Sequence, residues 1–169
     1  EGKAYYPSQL MPWWYDKDKQ SPVEAILDEA ARYDMKVFMS TGWAKDQDDN
    51  LQDPAIKQRQ LQIMEVLAVF YKNHKAVYGW YLPVEDCLCP IFAEHAVQSV
   101  NALTQKANAL TPGKKTLISP YGIGLSDFDN PEYEKQLAKL KVDIIAYQDE
   151  VGCVRNKFML PRLKKTWQR

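Results

Sequence analysis

The chain has 169 residues, a size that argues for one domain spanning residues 1–169. Its 22 basic and 22 acidic residues leave no net charge, so the basic surplus of a nucleic-acid binder is missing and no such partner is expected. Hydrophobic residues make up 46%, too many for disorder, and no run approaches the roughly 18 apolar residues of a membrane helix.

Residues 1–20 are irregular, with Pro7 and Pro12 set among aromatics. They show no basic start followed by an apolar stretch, so an exported form would already have lost its signal peptide. Ser21, Pro22 and Glu24 then form a Ser-x-x-Glu capping box with proline in the first turn. Val23, Ile26, Leu27, Ala30 and Ala31 follow at helical spacing and predict one apolar face. A short strand over 37–41 ends at Gly42, and a polar loop fills 44–53. Asp53-Pro54 opens a second helix to about His74, with Ile56, Ile63, Met64, Leu67, Phe70 and Tyr71 on its buried side. Residues 77–82 read as the next strand, stopped by Pro83.

Pro90 opens a third predicted helix, whose stripe of Ala96, Val100, Leu103, Ala107 and Leu110 runs to Thr111-Pro112-Gly113. A strand over 116–119 leads into Pro120-Tyr121-Gly122. Asn130-Pro131 caps a short fourth helix carrying Tyr133, Leu137 and Leu140. Residues 143–147 form a fourth strand, ending in Gln148-Asp149-Glu150. The stretch from Arg155 to Arg169 holds six basic and no acidic residues and reads as a solvated outer face.

Helices and strands alternate throughout, which implies a parallel α/β sheet built by right-handed crossovers. Two architectures fit: a (β/α)8 TIM barrel and an open doubly wound sheet. The second usually carries a glycine-rich phosphate loop after its first strand, and Gly122-Ile123-Gly124 has no third glycine. The first needs about 200 residues or more, so this chain would be a partial barrel.

Both folds place their sites at the C-terminal ends of the strands. Those positions hold Ser40, Thr41 and Trp43; Tyr81 and Glu85; Ser119, Tyr121 and Ser126; and Tyr147, Gln148, Asp149 and Glu150. Carboxylates among aromatics and amides suit glycoside chemistry, where one carboxylic acid protonates the leaving oxygen and a carboxylate acts opposite it. Five Trp, ten Tyr and five Phe supply flat faces for stacking on sugars, although large aromatics equally fill cores.

Other chemistry finds no support. Asp46, Asp48 and Asn50 begin like a calcium loop, but Leu51 replaces its glycine and Lys57 its closing glutamate. His74 and His95 lack metal-ligand neighbours at suitable spacing, and Cys87, Cys89 and Cys153 read as free thiols. No metal and no cofactor is expected.

Four segments carry a resemblance: Tyr6-Pro7-Ser8, Tyr78-Gly79-Trp80-Tyr81-Leu82-Pro83 with Glu85, Ile118-Ser119-Pro120-Tyr121, and Asp143-Ile144-Ile145-Ala146-Tyr147-Gln148-Asp149 with Gly152-Cys153. They resemble the domain of unknown function 4434 family of gut bacteria, whose members are described as glycoside hydrolases or alpha-L-fucosidase-like proteins. The resemblance implies a TIM barrel in which this chain supplies about strands two to six. It implies an oligosaccharide or glycan substrate and an exported, periplasmic or cell-surface location. Glu85 would then follow barrel strand four, where the large retaining clan of barrel glycosidases keeps its acid/base. Val84 stands where that clan has asparagine, and the chain stops before the strand-seven nucleophile. The expected site has Glu85 as acid/base and Asp149 as second carboxylate; the other reading of Asp149 is structural, tying its loop through Gly152 by backbone hydrogen bonds. Gln148 holds a sugar hydroxyl, and Tyr6, Trp13, Trp14, Trp43, Tyr81 and Tyr121 form its walls. The alternative is a carbohydrate-binding barrel domain without catalysis.

Overall fold

The computed structural model describes residues 3–42, 51–127 and 129–148, together with Pro161, Lys164, Lys165 and Gln168. Trp43, Asp46, Asp48, Asn50, Asp149, Glu150, Cys153 and most of the basic tail lie outside the described residues.

The element order is α1 (Pro22–Arg32), β1 (Val37–Ser40), α2 (Pro54–Tyr71), β2 (Val77–Tyr81), α3 (Glu94–Leu110), β3 (Lys115–Ile118), a single 3-10 turn (Ile123–Leu125), α4 (Pro131–Ala138) and β4 (Ile144–Ile145). Three of the helices start where local chemistry dictates. The Ser21, Asp53 and Asn130 side chains accept N–H groups from Glu24, Ala55 and Glu132, and a proline follows each cap. Each cap satisfies a donor that the first helical turn leaves without a partner, and proline loses nothing there.

The third helix begins at Glu94 rather than Pro90. The Pro90 carbonyl accepts the Asp127 N–H at 2.6 Å, and Leu88 and Phe92 on either side are fully buried. Long-range burial therefore holds 88–93 as a loop. Two further expectations are corrected: Ile26 on α1 and Phe70 on α2 are more than half exposed. On α2 the buried stripe is Gln60, Ile63, Met64, Leu67, Ala68 and Tyr71.

The four strands form one all-parallel sheet in the order β1-β2-β3-β4, with no reversal. Sequence neighbours are sheet neighbours, as when each βαβ crossover steps to the next position in the same direction. Within the sheet, Gly79 answers to crowding: a Cβ there would collide with the Lys115 carbonyl oxygen and lie 2.9 Å from the Phe38 ring.

The chain forms two compact units, Glu1–Tyr81 with Gln105–Thr116, and Leu82–Thr104 with Leu117–Arg169. The first packs Leu27, Met39, Ile63, Met64, Leu67, Val77 and Trp80 as its core. The buried Ser21 and Tyr71 hydroxyls share a hydrogen bond of 2.8 Å there, and Trp80 donates its indole N–H to Thr111 at 2.8 Å. The second unit packs Leu82, Leu88, Phe92, Val97, Val100, Ile118 and Ile123.

Candidate functional site

The segment after β2 alternates inward and outward. Leu82 and Val84 are buried, while Pro83 is half-buried and Glu85 exposed. Its backbone is tied on both sides of Glu85. The Leu82 N–H donates to the Leu117 carbonyl and the Val84 N–H to the Leu82 carbonyl, both at 2.8 Å. Just beyond, the Tyr121 N–H donates to the Asp86 carbonyl at 3.3 Å, and the Leu88 N–H to the Tyr121 carbonyl at 2.8 Å. Cys87 and Tyr121 thus form a parallel bridge outside the main sheet. Glu85 sits on a loop whose backbone is held at both ends.

Gly122 makes this ladder possible. Its φ of +79° favours glycine, and a Cβ would come within 2.6 Å of the Cys87 sulfur. Tyr121 itself is 40% exposed and lies beside the loop that carries Glu85.

Gln148 follows β4 and belongs to the same frame. Its N–H donates to the Pro120 carbonyl at 3.1 Å, and its side-chain Nε2 to the Ser119 carbonyl at 2.7 Å. The Ser119 hydroxyl donates to the Ala146 carbonyl at 2.9 Å. The ends of β3 and β4 are thereby laced together, and through Tyr121 to Asp86 beside Glu85. Burial, with Tyr133 nearby, raises the Tyr147 phenol above its usual range, so it stays protonated at neutral pH.

Sequence reasoning passes over a pair in this frame. Asp86 Oδ2 and His95 Nε2 lie 3.0 Å apart, and Asp86 Oδ1 accepts the Cys87 N–H at 2.7 Å. The only available signal was that Asp86 adjoins Glu85; the nine-residue gap to His95 matches no helix or strand period.

The first unit treats its candidates differently. Tyr6 is buried, and desolvation pushes its phenol up to about 12, with Arg59 opposing. Trp13 is half-buried; it donates its indole N–H to the Ser8 carbonyl at 2.8 Å and stacks on Tyr15 at 5.3 Å. Trp14 is 59% exposed, with the Tyr5 ring 5.2 Å away. Tyr81 ends β2, half-buried, paired with Ser40 of β1.

No group of three or more His, Cys, Asp or Glu side chains among the described residues is placed to hold a metal ion. His74 is engaged by Asp28 at 3.1 Å, a contact that lowers the Asp28 pKa. The Cys87 sulfur accepts the Cys89 N–H at 3.3 Å. No helix among the described residues is long and apolar enough to cross a membrane.

The model of the domain of unknown function DUF4434 matches residues 1–168. The chain belongs to that family. No curated protein and no solved structure matches it. In this DUF4434 domain, Glu85, Tyr121 and Gln148 are brought into one hydrogen-bonded frame in the second unit, while Tyr6, Trp13, Trp14 and Tyr81 belong to the first.

Proposed function

We propose that this DUF4434 domain is a glycoside hydrolase. Glu85 acts as general acid/base, Asp149 as the second carboxylate, Tyr121 as a stacking face and Gln148 as the amide that holds a sugar hydroxyl. The observation that carries this reading is the frame around Glu85: an exposed carboxylate on a loop tied to an exposed tyrosine and, through 119–121, to a glutamine. Sugars present flat C–H faces for stacking and hydroxyls for directional bonds, and their glycosidic oxygens need a proton donor. The unreversed parallel strand order supports reading the sheet as part of a (β/α)8 barrel, whose sites lie at the C-terminal strand ends. The substrates under this reading are oligosaccharides met outside the cytoplasm, at the cell surface or in the periplasm.

Incubation with a panel of aryl glycosides and oligosaccharides, followed by reducing-sugar assay and calorimetry, tests this. Sugar release supports the hydrolase. Saturable binding without release makes the protein a non-catalytic carbohydrate-binding domain, and neither binding nor release contradicts the glycan reading altogether.

A further inference from the structure

A cavity of about 590 Å³ opens in the first unit between residues 7–13 and α2. One wall is Pro7, Leu10 and Trp13; the other is Val66, Val69 and Phe70, with Ser8 and Gln9 as the polar contributions. The volume lies within the roughly 300–1,000 Å³ of small-molecule sites.

Sequence and structure both mark this space as built. From Ile63 to Tyr71, α2 carries a single charged residue, Glu65. One stripe of that stretch is in the core, and Val66, Val69 and Phe70 form a second stripe at i, i+3, i+4 spacing. This second stripe faces residues 7–13 on one side and is open on the other, with Val69 and Phe70 more than half exposed.

The facing wall is fixed in place. The Leu10 N–H donates to the Ser8 hydroxyl at 3.0 Å, and Arg59, one turn before Ile63 on α2, donates to the Leu10 carbonyl at 2.7 Å. The Trp13 indole is held by the Ser8 carbonyl, and the Trp13 backbone is bridged to Ala4. Such a cavity need not be formed by its ligand, which lowers the ordering cost of binding.

We infer that this cavity is a binding site for an uncharged, mainly apolar small molecule with one hydrogen-bonding group, met by Ser8 or Gln9. The lining offers no charged side chain for an ion and too few polar groups for a sugar. The inference stands whether or not the domain hydrolyses glycans.

Fluorescence titration of the full chain with the neutral probe N-phenyl-1-naphthylamine tests it, with glucose as competitor. Val69 is 75% exposed, so Val69→Glu and Val69→Lys change the cavity wall without touching the core, and Ile26→Glu on α1, at 62% exposure, is the control. The expected result is saturable binding of one probe per chain, weakened about tenfold or more by both Val69 variants. Binding should stay within about twofold in Ile26→Glu and be untouched by glucose. Thermal melts of all three variants confirm folding. Unsaturable binding, equal loss in Ile26→Glu, or displacement by glucose overturns the inference. So does a dimer that Val69→Glu converts to monomer, which would assign this face to a second copy of the chain.

Discussion

Both units carry buried and exposed aromatic residues, and one ring from each, Trp80 and Tyr121, shows the two uses side by side. In the first, Tyr6, Tyr71 and Trp80 are buried, and Trp80 closes its polar edge on Thr111. In the second, Tyr121 keeps 40% of its surface in solvent beside the loop of Glu85. Trp80 and Tyr121 both sit near the C-terminal end of a strand. They differ in that Trp80 lies within β2, where one face of the sheet is core, whereas Tyr121 lies past the end of β3, where the chain is free to turn outward. Closeness to a strand end is therefore a weaker guide to an exposed aromatic than the step from strand to loop.

The sharpest way to break that comparison is to truncate both residues. Trp80→Ala should cost about 3–5 kcal/mol of unfolding free energy, because it opens a core cavity and takes the indole donor from the Thr111 hydroxyl, which keeps its bond to the Ala107 carbonyl. Tyr121→Ala should cost less than about 1 kcal/mol. Similar losses in urea titrations would contradict the assignment of one to packing and the other to a site. Gly79→Ala follows, at about 1–3 kcal/mol, since the added methyl meets the Lys115 backbone, which has no rotamer to escape into. A neutral result would mean that the strands separate easily there.

Ser21→Ala removes both the helix cap and the partner of the buried Tyr71 hydroxyl, and about 1–2 kcal/mol should be lost. Tyr71→Phe in the same background should restore part of that loss by removing the stranded hydroxyl.

The smallest effect concerns Tyr6 and shows only in alkali. Its buried phenol has a pKa of about 12 against an ordinary 10.0. Below pH 10 the folded and unfolded chains both keep the proton. Between 10 and 12 the unfolded chain releases it first, so stability declines as pH rises through that window. Tyr6→Phe should flatten this part of the stability–pH curve, and an unchanged slope would place Tyr6 in solvent.

Much of the framework was legible in the sequence because local chemistry set it. Ser21, Asp53 and Asn130 mark helix starts by satisfying backbone donors. The strands over Val37–Ser40, Val77–Tyr81, Lys115–Ile118 and Ile144–Ile145 appear where expected, and alternation with helices implied their parallel order. Glu85 was legible as a carboxylate just past a strand. What failed was decided by distant partners. Pro90 looks like a helix start, but Leu88 and Phe92 are drawn into the core and Asp127 takes the Pro90 carbonyl. Phe70 was misplaced because α2 is apolar on two stripes and nothing local says which one faces inward. The Asp86–His95 pair depends on how one loop folds onto α3, which no spacing rule encodes.

The central claim is that the second unit's frame exists to present Glu85. Turnover of the best glycoside by Glu85→Gln protein tests it most directly, with a thermal melt alongside. Because Glu85 is exposed, the amide should leave the protein folded, while turnover falls by a factor on the order of 100 or more as the proton donor is lost. Turnover that is unchanged in a folded Glu85→Gln protein would contradict the account.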